Sequence, residues 1–429
     1  MASRVLRRRA VTAAALYGGT VAGILGTLYA ANELGPAQFG LFTLAVATAS
    51  FLQLLLDTTV EEGAVKYGFR YVATEDWGRL RALFRFGVVV KWGGGLVATL
   101  VALALAPFAD EIFSTPGLTG PMLVAAFIPL AQAPEGIAGA SILVAGRYDL
   151  RAVMSGFGLV LRLIGLLIGA SHGVTGAVVG VLVAQIVASC ASGLAGYLLF
   201  RRHPRAEVVP LARDRPEITR FVIQSGIGTS LVSMRNTLAP LALGVVASPT
   251  QVGYFRAAQA PITGLEALSA PVRLILLTEQ TRDFEHGQVA QTYATLRRYV
   301  VGASVVAVAL VPAFWVAMPR LIELVLPDYT GATDAARVLL LAAALRLVLG
   351  WTKTFPVSIG RPSLRIVAHG VEIAVLLPLL LVFGSAWGAT GAAFAMLAAT
   401  IAFGMTWAVL LFRLRREPLP VRVSEGTTA

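Results

Sequence analysis

The sequence predicts an all-α, polytopic membrane protein of about twelve transmembrane helices in two pseudo-symmetric six-helix bundles. Three observations carry that expectation. Of 429 residues, 57% are hydrophobic and only 14% charged, whereas soluble chains carry about 25% charged residues. Apolar runs of the ~20 residues needed to cross a bilayer recur from one end to the other, and in hydrocarbon the helix is the open-chain structure that satisfies every backbone amide and carbonyl. Finally, short motifs recur in order at a nearly constant offset.

Each run has its own punctuation. The first, 11–31, follows a basic start (Arg4, Arg7, Arg8, Arg9) that imitates a signal peptide, but it exceeds an h-region of about 7–15 residues and reads as a retained span. The second, 40–60, opens behind "GPAQ", and the third, 86–106, follows a loop holding Lys66, Arg70, Arg79, Arg81 and Arg85. In the fourth, 121–145, Pro134 and Gly136 predict a break, because proline removes a backbone bond. "SHG" separates 152–170 from 174–200, and the basic stretch 206–219 links the halves 1–205 and 220–416. The second half repeats the plan with 221–246, 253–278 behind "SPTQ", 299–318, 335–355, 366–383 and, after "SAWG", 389–412. The polar tail 417–429 is expected to be disordered.

Arginine and lysine concentrate in alternate loops, and the opposite loops hold only Arg320. This positive-inside pattern puts both termini in the cytoplasm and accounts for the net charge of +12 without nucleic acid. The single Cys190 excludes an internal disulfide, and the four histidines lack metal-ligand spacing, so no metal and no cofactor is expected. "KWGGGL" at 91–96 lacks phosphate-loop spacing, and close helix packing explains its glycines.

"GPAQFGLF" at 35–42 returns as "SPTQVGYF" at 248–255, an offset of 213. Leu83, Arg85 and Phe86 match Leu296, Arg298 and Tyr299 at the same offset, "GRYDLR" (146–151) matches "GRPSLR" (360–365), and "GVTGA" (173–177) matches "GATGA" (388–392). Ordered echoes with so little drift mean duplication. An even number of spans per half inserts both halves in one orientation, related by an axis along the membrane normal, as in alternating-access transporters with a site between bundles.

The stretch "ELGPAQFGLFTLAVATASFLQLLLDTTVEEGAVKY" resembles the second-span region of polysaccharide flippases in the multidrug/oligosaccharidyl-lipid/polysaccharide exporter superfamily, and "LIELVLPDYTGATDAARVLLLAAALRLVLG" resembles their ninth-to-tenth-span region. The resemblance implies flipping of a polyprenyl-diphosphate-linked glycan across the cytoplasmic membrane, with membrane lipids and glycosyltransferases of the same pathway as partners.

Ionisable residues inside the spans are informative because each costs at least about 2.5 kcal/mol at a helix centre unless it finds a cavity or a partner. Arg162, Arg235, Arg346, Glu135 and Glu266 fall nearest the midplane, while Lys91, Arg256, Arg273 and Lys353 lie near span ends, where long side chains snorkel. In the eighth span Arg256, Gln259, Thr263, Glu266 and Arg273 share one helical arc, and the second span carries Thr43, Ser50, Gln53 and Asp57 in a similar arc. Gln224 and Arg235 share a face of the seventh span, with Asn236 on a hydroxyl stripe beside it. Guanidinium groups suit a diphosphate and amides suit sugar hydroxyls, so these residues predict a cationic, hydrated lumen; an Arg235–Glu266 ion pair is the structural alternative. Asp57, Glu135, Glu266, His369 and Glu372 are candidates for ion coupling or for neutralising nearby arginines.

Two other functions compete. Drug exporters of the same superfamily resemble one another in an acidic residue on the first span, which this chain lacks. A membrane-embedded glycosyltransferase or polymerase needs a catalytic site and sizeable outer loops. Here the outer loops are short, and Asp110 and Glu111 of "FADEIF" read as solvated acids at a helix end.

Overall fold

The computed structural model describes residues 2–56, 60–212, 214–268, 276, 279–280, 282–284, 286, 288–359, 361 and 363–416, with side chains at 2–13, 16, 56, 224–225, 227–229, 232, 260–268 and 357 outside that description. The described residues are mainly helical and contain no strand. Their contacts divide the chain into two compact units, Met1–Ala257 and Ala258–Ala429.

Among the described residues, seven helical stretches are long and apolar enough to cross a membrane. Three of them, Tyr17–Leu55, Tyr148–Phe200 and Ser363–Arg416, run to 39, 53 and 54 residues, about twice the ~20 a single crossing needs. Each contains a glycine with positive φ, Gly35 (+69°), Gly173 (+77°) and Gly388 (+56°), where the chain leaves the helix and re-enters it. Glycine has no Cβ to oppose that geometry. Gly173 and Gly388 open the echoed "GVTGA" and "GATGA", so the repeated sequence makes the same left-handed corner twice. The corner is also packed alike: a Cβ at Gly176 would strike the Gly169 carbonyl, and one at Gly391 the Phe383 carbonyl.

In the first unit, α1 (Ala2–Leu56) is kinked at Gly35, and α2 (Val60–Ala73) follows. Val60, Ala64, Tyr67 and Tyr71 bury one face of α2, while Glu61 and Glu62 at its start and Arg70 at its end match the helix dipole. That face joins a core with Leu80, Leu83, Phe84, Ile218 and Val222. Over it, the Tyr71 hydroxyl donates to Asp214 at 2.7 Å and the Tyr67 hydroxyl to Glu217 at 3.1 Å, so acids of the linker region are tied to α2. Desolvation and the Asp214 carboxylate push the Tyr71 phenol far above its ordinary value.

Next come α3 (Trp77–Leu105), capped by Asp76, the short α4 (Ala109–Ile112), α5 (Thr119–Ala125) and α6 (Ile128–Val144). The expected break at Pro134 is corrected here: α6 runs through Pro134, and the interruption falls at Ala126–Phe127, just before Pro129 in the first turn of α6. Proline lacks an N–H, which costs nothing where that group would be unpaired anyway. Of the "KWGGGL" glycines, Gly95 lies against the Pro129 carbonyl while Gly93 meets open space. Helices α7 (Tyr148–Gly169) and α8 (Gly173–Phe200) meet at a glycine seam, where a Cβ on Gly165 or Gly180 would strike the other's carbonyl, and likewise for Gly169 and Gly176. Small residues let backbones approach where lipid offers no hydrophobic drive for association.

The unit closes with α9 (Arg215–Val246) and the start of α10 (Pro249–Leu268). Here the two copies of the opening motif touch. A Cβ on Gly40 would collide with the Pro249 carbonyl oxygen, and one on Gly253 with the Pro36 carbonyl oxygen. The offset that relates Gly40 to Gly253 also relates Pro36 to Pro249, so the contact is reciprocal.

The second unit holds α11 (Val289–Val325), α12 (Thr333–Val348), α13 (Phe355–Ser358) and α14 (Ser363–Arg416). Trp351, Phe355, Phe403 and Trp407 form its aromatic core, and exposed Val301, Val305, Val308 and Val316 line α11.

Candidate functional site

Two polar nodes and one pair of cations stand among these apolar helices. In the first unit Arg151, at the start of α7, reaches Glu61 of α2 at 3.2 Å and Glu135 of α6 at 3.5 Å. Gln185 of α8 donates to the second Glu135 oxygen at 3.2 Å and to Ser189 at 2.9 Å. Lys91 of α3 is buried over Gly136, its ammonium close enough to act on the Glu61 carboxylate. Two cations and two carboxylates from four helices thus meet in one formally neutral cluster, joined by Gln185 from a fifth, and Gly136 and Gly139 make room for it, since a Cβ at either would press on Lys91 or on Glu61 and Arg151. Lys91 therefore points inward and does not snorkel. Gln53 of α1 donates to Gln132 of α6 at 2.7 Å.

In the second unit Arg346 of α12 pairs with Glu372 of α14, whose other oxygen accepts from His369 Nδ1 at 2.9 Å. An ionised Glu372 accepts from an imidazole that carries its proton on Nδ1. Glu372 is 1% exposed, and Phe403 lies against both the Arg346 guanidinium and the His369 ring. His369 and Glu372, one turn apart on α14, are in contact, and Glu372 also pairs with Arg346.

The cations differ. Arg162, half-buried on α7, has no hydrogen-bond or ion-pair partner among the described residues, and its electrostatic neighbour is another cation, Arg256 of α10. Arg235 of α9 is buried and Asn236 beside it is exposed. Gln259 is buried against the Met396 sulfur at 3.8 Å. Lys353 is exposed in the turn Leu349–Lys353. Asp57 and Arg273 lie outside the described residues, as do the side chains of Thr263, Glu266 and Gln224, and with them the Arg235–Glu266 pair.

Outside the spans, Asp110 closes a loop. Its carboxylate accepts from the backbone of Gly117 (3.0 Å), Leu118 (2.9 Å) and Thr119 (2.9 Å) and from the Thr119 hydroxyl (3.1 Å). The Gly117 amide, then the Thr119 and Leu118 groups, hold it below its ordinary carboxylate range against slight desolvation. Its oxygens are occupied with loop structure.

Sequence reading missed Glu61, Arg151, Gln185 and Gln132. Arg151 counted as a loop charge. Gln185 and Ser189, one turn apart on the otherwise apolar 174–200 run, were the visible signal.

A profile of the polysaccharide biosynthesis protein family matches residues 5–272. No curated protein matches the chain. Among solved structures, the chain is similar to the inward-facing conformation of a multidrug resistance MATE family transporter of the MOP superfamily (TM-score 0.75, 14% identity, 93% of this chain and 95% of that one). It is also similar to the lipid II flippase MurJ in an inward closed conformation (TM-score 0.73, 13% identity, 95% and 88% covered). A third likeness is to a MOP superfamily transporter from Pyrococcus furiosus described as having a binding pocket of reverse polarity (TM-score 0.59, 16% identity, 94% and 96% covered).

Proposed function

The chain belongs to the polysaccharide biosynthesis protein family, and from that membership we propose that it flips a polyprenyl-diphosphate-linked oligosaccharide across the cytoplasmic membrane by alternating access. One observation carries the reading: Arg162 and Arg256 are neighbouring cations on apolar helices, and Arg162 has no acidic partner among the described residues. A guanidinium in hydrocarbon costs about 2.5 kcal/mol or more unless something compensates it, and two such groups together match the paired charges and bidentate oxygens of a diphosphate. The isoprenoid tail stays in lipid while the headgroup crosses. The two ion-paired nodes are neutral and hold helices together.

In this reading both termini are cytosolic, as the alternation of basic loops implies, and the six-span repeats 1–205 and 220–416 are joined by 206–219. Glycosyltransferases of the same pathway supply the cargo.

The test is transport of a fluorescent polyprenyl-diphosphate disaccharide in proteoliposomes. Arg162→Ala with Arg256→Ala lowers the rate at least about ten-fold, while the lysine pair retains part of it, because ammonium keeps the charge without the planar fork. Wild-type rates in the correctly inserted double alanine variant overturn the proposal. Efflux of cationic dyes by a protein idle toward the lipid-linked sugar favours the drug-exporter reading.

A further inference from the structure

A cleft of about 610 Å³ opens on the first unit between α3 and α8, with α6 as its floor, within the ~300–1,000 Å³ range of small-molecule sites. Its floor is low because Ala133, Ala138, Gly193 and Gly196 are small: Gly196 abuts the Ala138 backbone, and a Cβ on Gly193 would come within 3.4 Å of Pro134. Exposed Val89 and Trp92 form one wall and exposed Tyr197 the other. Both walls belong to helices that cross the membrane.

One end of the cleft is cationic. Arg81 and Arg85 sit there, one turn apart on α3. The Arg81 guanidinium lies over the Phe200 ring and donates from Nη2 to the Pro204 carbonyl at 3.0 Å, but its Nε is buried with no hydrogen-bond partner. Arg85 is exposed, and among the described residues it has neither hydrogen bond nor ion pair. The linker covers this end, with Ala206 and Val208 lining it and the Val209 amide held by the Gly78 carbonyl at 3.3 Å.

We propose that this cleft binds an anionic phospholipid from the leaflet on the arginine-rich face, its phosphate on Arg81 and Arg85 and an acyl chain along the apolar trough between Trp92 and Tyr197. Two guanidinium groups offer the forked donors that phosphate oxygens accept, and basic pockets between membrane helices are where anionic headgroups bind. Among the described residues, the lining itself offers no carboxylate to pair with the ammonium of a zwitterionic headgroup. Aromatic residues flanking the trough suit the level where chains give way to headgroups. None of α3, α6 and α8 carries Arg162 or Arg256, so the site is separate from the residues assigned to cargo. A lipid seated here joins α3, α8 and the linker, coupling bilayer composition to the linker's position.

The test titrates delipidated protein with phosphatidylglycerol or phosphatidylethanolamine and counts bound lipid by native mass spectrometry. Wild type retains one phosphatidylglycerol about five-fold or more in preference to phosphatidylethanolamine. Arg85→Glu, at an exposed position, and Gly193→Leu, which fills the trough, each cut phosphatidylglycerol retention by about five-fold or more. A phosphatidylglycerol with brominated chains quenches fluorescence in wild type, and Trp92→Phe removes that component. Equal retention of both lipids, unchanged retention in both variants, or equal quenching in Trp92→Phe overturns the proposal. So does displacement of the bound lipid by inorganic phosphate, which would make the site one for a dissolved anion, or by polyprenyl diphosphate, which would make it a cargo site. If Gly193→Leu fails to fold, Arg85→Glu decides.

Discussion

Replacing Glu372 by alanine strips the carboxylate from a buried triad, taking from Arg346 the acid it pairs with and from His369 its acceptor. Glu372 is 1% exposed, so the charges it meets are largely shielded from bulk water. Breaking one side of a buried pair costs about 3–5 kcal/mol, because the remaining charge stays desolvated. At about 2 °C per kcal/mol for a large domain, that is a fall of about 6–10 °C in the thermal midpoint. Removing both charges together, as Arg346→Met with Glu372→Leu, leaves nothing uncompensated and costs much less than the two single losses added. Glu372→Gln, which keeps one acceptor oxygen, falls between. The assay is the midpoint of detergent-solubilised protein followed by fluorescence-detected gel filtration, over the full double-mutant cycle. A Glu372→Ala midpoint within about 2 °C of wild type, or a double variant as unstable as the sum of the singles, refutes the reasoning.

Gly165→Leu drives a side chain into the Gly180 carbonyl across the α7–α8 seam, and overpacking of this kind costs about 1–3 kcal/mol or more; the expected outcome is a lower yield of monodisperse protein, while Gly93→Leu, which meets open space, behaves as wild type. Glu135→Ala leaves Arg151 with Glu61 as its remaining acid in the cluster, so it lowers the midpoint less than Arg151→Ala, which leaves two carboxylates with only Lys91 between them. Asp110 titrates below its ordinary value of 3.8 in the folded protein. Its contribution is therefore complete above that value and lost as pH falls through the lower folded pKa. The wild-type midpoint, scanned from pH 7 to about 3, thus carries an acid-side decline that Asp110→Asn lacks.

Residues acting through backbone or along one helix were legible in the sequence. Gly173 and Gly388 follow from an echoed string, and the helices around them from apolar length alone. His369 and Glu372 lie one turn apart, so their contact could be read from helical spacing. The pairing of Arg346 with Glu372, and of Arg151 with Glu61 and Glu135, joins residues on different helices, and no periodicity encodes which helices neighbour each other. Arg151 was harder still: its position beside a loop made it a topology charge, whereas its long side chain reaches back to α6. Pro134 misled for a related reason. Proline announces a missing hydrogen bond, but the packing around it decides whether the helix bends, and the interruption went instead to Phe127.

The mutual fit of Gly40 on Pro249 and Gly253 on Pro36 constrains both positions at once. A surface that recognises its own copy is the kind that joins two identical subunits about a dyad, where what one partner offers the other returns. In this chain both copies of the motif lie on the same polypeptide, so each supplies the surface that the other meets. Neither glycine can therefore gain a side chain without the other copy of the motif meeting it.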